Sequence, residues 1–212
     1  VVYDNRCALP KYIVHFGGSG AGAGLGAVPR PIAGAKHELN PQGEKVSVSG
    51  SFLDSHFKTA AYQFLVMLGA QAPAVKQVDY FNYERSAMCG AFEEERQKLH
   101  QAQKDSNAIW VFHGTKSENI DSIMRGGFKV GGEDVAVANG TVYGRGVYSA
   151  TGPRTPMGYG QGASAVILAQ ALPGHSTQSS RGEAGADSWR PKDDWYIFAR
   201  AAQVLPCYVV RY

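Results

Sequence analysis

Ile109-Trp110-Val111-Phe112-His113-Gly114-Thr115, followed by Gly146-Val147-Tyr148-Ser149-Ala150, is the stretch on which the fold of this chain turns. Residues 109–112 are continuously apolar and β-favouring, which predicts a central strand. His113-Gly114 follows at its carboxyl end. Thr115-Lys116-Ser117-Glu118 then matches a capping box, and Ile120, Ile123 and Met124 recur at helical spacing until Gly126-Gly127 closes the helix. His113 therefore stands where the end of a strand meets the start of a helix. Backbone N–H groups are free at such a place, and a ligand can approach over Gly114 with no side chain in the way. Thirty-three residues after His113, Gly146 opens a second short strand that carries Tyr148. A lone His at a strand end is ordinarily structural, but a second motif at this distance turns the reading toward a binding cleft.

Working outward, residues 51–68 predict a helix, with Phe57, Ala61, Phe64, Leu65 and Leu68 at three-to-four spacing. Residues 78–81 read as a short strand. Residues 84–104 read as a helix with Met88, Phe92 and Leu99 on its core face. Residues 130–140 are polar, Gly-rich and without period. Residues 165–172 form a buried-strand run, 175–194 a polar Gly/Ser-rich loop, and 195–198 and 203–210 two closing strands. Near the start, Tyr12 to Phe16 could be a strand, and the glycines from Gly17 to Gly26 invite a dinucleotide-binding reading. The helix that reading requires is missing, because Pro29 and Pro31 break it. A surface loop is the simpler reading.

Composition narrows the classes. A chain of 212 residues with 44% hydrophobic residues can bury one ordinary core. Its net charge of +3 comes from scattered Lys and Arg, so direct nucleic-acid binding is not expected. Cys7, Cys89 and Cys207 are far apart and make no Cys-x-x-Cys pair. That pattern suits unpaired thiols in a reducing compartment, with no zinc site. No apolar run is long enough to span a membrane, and no signal pattern opens the chain. The expectation is an intracellular protein, cytoplasmic or nuclear. Val1 is not a natural start, which suggests part of a longer protein.

The two motifs together resemble the catalytic domain of the poly(ADP-ribose) polymerase family, the diphtheria-toxin-like ADP-ribosyltransferases that consume NAD. The resemblance covers roughly residues 78–212. It implies an α+β ADP-ribosyltransferase fold, with two antiparallel sheets around an NAD cleft and flanking helices. The catalytic domain would occupy 51–212, and 1–50 an N-terminal extension with a Gly-rich loop, packed on the same domain. By similarity, His113 would hydrogen-bond a ribose hydroxyl of NAD, and the Gly114 backbone would read the nicotinamide carboxamide. Thr115 and Tyr143 join the implied NAD-binding set. Asn139-Gly140-Thr141-Val142-Tyr143-Gly144-Arg145-Gly146-Val147-Tyr148 looks like the mono-ADP-ribosylating branch. Tyr148 would be the second catalytic residue, and Tyr159 would stack on the nicotinamide. Two aromatic planes can sandwich a flat cationic ring, each contributing on the order of 1 kcal/mol. Residues 130–140 resemble the family's donor loop over the NAD site.

Two departures qualify the resemblance. Pro156 stands three residues before Tyr159, where many relatives carry a serine that bonds the carboxamide. Proline has neither hydroxyl nor N–H, although the adjacent Thr155 has a hydroxyl. Gln203-Val204-Leu205-Pro206-Cys207-Tyr208 matches the family's last strand and fixes the register. Eight residues earlier, where polymerising members carry a glutamate, stands Trp195. An indole donates one N–H and accepts nothing, so it cannot do the work of a carboxylate. The triad reads His113, Tyr148, Trp195. Asp193, two residues before Trp195, would share its strand face if the strand reached that far. The resemblance implies transfer of a single ADP-ribose from NAD to a protein acceptor, or automodification, with release of nicotinamide. The alternative is an inactive module that binds NAD, ADP-ribose or a protein partner.

Overall fold

The computed structural model describes residues 45–49, 55–81, 83, 86–130 and 142–212. The readings made at 12–16, 17–26 and 131–140 lie outside them. Among the described residues, nine strands form one mixed sheet: β1 (Lys45–Ser49), β2 (Gln77–Phe81), β3 (Ile109–His113), β4 (Val147–Ala150), β5 (Ala165–Ala171), β6 (Ser176–Thr177), β7 (Ser188–Trp189), β8 (Trp195–Phe198) and β9 (Val204–Arg211). Their order is β1-β2-β9-β5-β3-β4-β8-β7-β6. Every adjacent pair is antiparallel except β6 with β7.

The α+β class stands, whereas the two expected sheets are one continuous sheet here. The continuity is narrow. Between β3 and β4 a single residue pair, Phe112↔Ala150, is in register. A five-strand half and a four-strand half thus meet at one point, directly beside His113.

Central strands are buried on both faces and read as unbroken apolar runs. β5 is buried along its whole length and pairs with both β3 and β9. Helices cover the five-strand half. On α1 (Ser55–Leu68), Phe57, Ala60, Ala61, Phe64 and Leu68 are buried. On α2 (Ala87–Gln101) the buried face is Cys89, Phe92, Glu95 and Leu99. That face confirms Phe92 and Leu99 as core and adds a carboxylate the periodicity did not single out. α2 is shorter than 84–104: Ser86 is its cap, its hydroxyl accepting from Cys89 N–H at 3.2 Å.

The capping box expected at Thr115 does not form. α3 (Ser117–Gly126) has Lys116 in extended conformation as its N-cap, so Thr115 sits one residue too early. Its hydroxyl accepts instead from Asn119 Nδ2 at 3.3 Å. The helix does end at glycine, with Gly127 at φ +82° donating its N–H to Ile123 at 2.8 Å.

The polar stretch 175–194, read as a loop, contains β6 and β7 and a buried ionic anchor. Arg200 donates from Nε and Nη2 to Glu95 Oε1 at 2.8 and 2.6 Å. Its Nη2 also meets Asp187 Oδ1 at 2.8 Å. Lys104 Nζ lies 2.8 Å from Asp187 Oδ2, and His175 N–H donates to that oxygen at 2.8 Å. Burial alone would raise the Asp187 pKa. The donors Lys104, His175 and Arg200 outweigh it and hold the carboxyl below its ordinary value. This anchor fixes β7 and the end of β8 against α2. Cys207 is a buried free thiol, pushed up to about 12 by burial. Cys89 is not free, so the expectation of three unpaired thiols fails there.

Candidate active site

His113 ends β3, where the ladder with β4 is about to part. Its Nδ1 lies 2.7 Å from the carbonyl oxygen of Tyr148. A carbonyl only accepts, so Nδ1 carries the proton. Burial depresses the His113 pKa below 6.5, outweighing the Tyr148 carbonyl, and the ring is neutral at pH 7. Nε2 is then a bare acceptor. The Phe128 ring meets the imidazole edge-on, with centroids 5.0 Å apart, and fixes its plane.

Gly114 is where the backbone is most closely approached. A Cβ placed there would lie 1.8 Å from the carbonyl oxygen of Pro156, so only glycine fits. Among the described residues, no turn or loop hydrogen bond occupies its N–H or carbonyl. Position 156 therefore sits at Gly114, as the spacing from Tyr159 implied, but it brings a buried proline ring and no hydroxyl. Pro156 and Tyr159 share the short helix α4 (Arg154–Tyr159).

On β4, Tyr148 stands opposite Ile197, and Ala150 opposite Trp195. The Tyr148 hydroxyl donates to Gly144 O at 2.7 Å and accepts Tyr143 N–H at 3.2 Å. Both bonds clamp the turn that precedes the strand. Burial raises the phenol pKa, so Tyr148 is un-ionised at neutral pH. Tyr143 then places its ring edge-on to Trp195, with centroids 5.6 Å apart at 87°. Tyr159 meets Trp195 at 6.3 Å and 76°. Tyr159 remains 42% exposed. Lys192 Nζ lies 4.6 Å from the Trp195 ring centroid, within cation–π range.

Of the residues singled out from the sequence, His113, Gly114, Tyr143, Tyr148, Tyr159 and Trp195 are linked through these contacts. Thr115 is the exception, engaged with Asn119 along α3. Asp193 does not share a strand face with Trp195, because β8 begins at Trp195 and Asp193 lies exposed in the preceding turn. Sequence reasoning missed Trp189, whose indole N–H donates to Tyr143 O at 2.6 Å. The signal available was a lone tryptophan in an otherwise polar loop. No helix among the described residues is long and apolar enough to cross a membrane, and no cluster of three metal-ligating side chains occurs among them.

A family model described as the poly(ADP-ribose) polymerase catalytic domain matches residues 70–197. The chain belongs to that family. The matched span takes in His113, Tyr148, Tyr159 and Trp195, and it runs across the junction at which the two halves of the sheet meet. A poly(ADP-ribose) polymerase catalytic domain is an ADP-ribosyltransferase domain that uses NAD as its substrate. No curated protein matches the chain.

Proposed function

We propose that this domain transfers a single ADP-ribose from NAD to a protein acceptor, itself included, and does not build chains. The observation that carries this reading is Trp195. It lies at the head of β8 opposite Ala150, edge-on to both Tyr143 and Tyr159. An indole cannot accept a hydrogen bond from a ribose hydroxyl, so the carboxylate function used in chain elongation is absent at this position.

The neighbouring groups suit NAD. The neutral His113 Nε2 is an acceptor for a ribose hydroxyl, and the Gly114 peptide offers a donor and an acceptor to a carboxamide. The exposed Tyr159 offers aromatic surface to a flat cationic ring, and the Tyr148 hydroxyl clamps the turn that carries Tyr143 beside Trp195. Transfer breaks the bond between the ribose anomeric carbon and the nicotinamide nitrogen. Its electron pair leaves with nicotinamide and discharges the ring, while the acceptor supplies the pair for the new bond and loses its proton to solvent. Orientation of donor and acceptor can lower such a barrier by several kcal/mol, roughly 7–11 in the best cases.

A second reading, binding without turnover, is favoured by one observation. The Pro156 carbonyl packs on Gly114, and no hydroxyl is supplied at that position. Incubation with labelled NAD separates the two readings. Transfer gives labelled protein together with released nicotinamide. Retention of NAD with neither product would sink the transferase reading and leave the binding module.

A further inference from the structure

Trp189 has no part in the reaction outlined above, yet it touches both the Tyr143–Gly144 turn of the candidate site and the segment between β6 and β7. It lies on β7, buried to 4% exposure, paired with Thr177 of β6 and Ile197 of β8. Its indole N–H donates to the carbonyl of Tyr143. The same ring is held between two glycines. A Cβ on Gly144 would lie 3.1 Å from Trp189 Cζ2, and one on Gly182 would lie 3.0 Å from Cζ3. Gly182 belongs to the exposed segment that joins β6 to β7.

We propose that Trp189 is a positioning residue that ties this β6–β7 segment, through Tyr143, to the Trp195 wall of the nicotinamide pocket. The proposal rests on the NAD reading above. Three consecutive peptide groups around Tyr143 and Gly144 each carry one bond: the Tyr148 hydroxyl accepts the Tyr143 N–H and donates to the Gly144 carbonyl, and the Trp189 indole donates to the Tyr143 carbonyl between them. These bonds fix the backbone from which the Tyr143 side chain meets the Trp195 ring, T-shaped at 5.6 Å. The anchor of Asp187 on Arg200 and Lys104, two residues before Trp189, makes β7 a fixed support. A ligand or acceptor that presses on Gly182 therefore acts on the Trp189 ring, and through its N–H on the pocket wall.

Two variants test this. Trp189→Phe keeps an aromatic ring and removes the N–H, while Gly182→Ala keeps Trp189 and pushes on its ring from outside the pocket. Leu99→Ala in α2 serves as a control that lowers stability without touching the site. The readouts are the Trp195 indole N–H resonance, assigned by its loss in Trp195→Phe, and calorimetric affinity for 3-aminobenzamide well below the unfolding midpoint. Both test variants should shift the Trp195 resonance. Trp189→Phe should weaken 3-aminobenzamide roughly threefold to tenfold, the range one net hydrogen bond carries. The control should change neither. An unmoved Trp195 resonance in Trp189→Phe overturns the proposal whatever the ligand does. A displaced resonance with wild-type affinity overturns the pocket-positioning role. If wild type itself fails to bind 3-aminobenzamide while the resonance shifts, the nicotinamide-pocket reading falls and the Trp189–Tyr143–Trp195 linkage stands.

Discussion

Tyr148→Phe removes one oxygen and keeps the ring, so it isolates what the hydroxyl does. That hydroxyl donates to Gly144 O and accepts Tyr143 N–H, and phenylalanine leaves both backbone groups without it. Each net hydrogen bond contributes about 0.5–1.5 kcal/mol, giving about 1–3 kcal/mol for the pair. Tyr148 is only partly buried, so water can replace some of the loss, which places the expected cost near 1–2 kcal/mol. For a domain of this size each kcal/mol lowers the unfolding midpoint by about 2–4 °C, hence a fall of about 2–8 °C. Affinity for 3-aminobenzamide should also fall, because Tyr143 is freed from Trp195. The pH dependence carries a further sign. The raised phenol pKa gives stability that is fully present below 10.0 and lost as pH rises beyond it. Tyr148→Phe should remove that alkaline loss. Thermal unfolding across pH, paired with calorimetry, reads both effects. A midpoint within about 1 °C of wild type would refute the clamp.

Arg200→Met leaves Glu95 without its Arg200 partner and Asp187 with only Lys104 and the His175 N–H. Arg200 is itself 43% exposed in its side chain, so the roughly 3–5 kcal/mol of a broken buried pair is discounted to about 2–3 kcal/mol. Denaturant unfolding should show this loss partly relieved by adding Glu95→Gln, and no relief would contradict the pairing. His113→Ala should weaken NAD binding by more than its stability change explains, since Nε2 is assigned to the ligand. In wild type the depressed His113 pKa gives stability that is fully present above 6.5 and is eroded as pH falls below it, and the alanine variant should lose that slope. Pro156→Ser supplies the missing hydroxyl beside Gly114 and should tighten 3-aminobenzamide by about 0.5–1.5 kcal/mol, measured by calorimetry. No gain would show that the serine hydroxyl does not reach the ligand.

The placement of the candidate site's residues on the fold was largely legible because its strands are apolar runs with polar or aromatic residues at their ends. Ile109 to Phe112 announced β3 and placed His113 at its terminus, and the match at Gln203 to Tyr208 placed Trp195 at the head of β8. The capping box misled because sequence pattern does not say which residue leaves the helix, and Lys116 does so rather than Thr115. β6 and β7, two residues each, are too short to show any alternation. Tertiary contacts were beyond reach for a simpler reason. Glu95 and Arg200 are 105 residues apart, and Trp189 reaches back 46 residues to Tyr143. Neither separation leaves a local pattern. The continuity of the sheet was equally hidden, since it hangs on the one pair Phe112↔Ala150.

Trp195→Glu, compared with wild type in a labelled-NAD assay, tests the central claim most directly. The products to score are nicotinamide released and the number of ADP-ribose units on each modified site. The account predicts that wild type adds one unit per site and that the variant cleaves NAD faster. A hydrogen bond to a charged group is worth about 1.5–3 kcal/mol, which is roughly ten- to hundredfold in rate if made mainly in the transition state. Chains of ADP-ribose made by the wild-type domain, or silence from both forms, would contradict it.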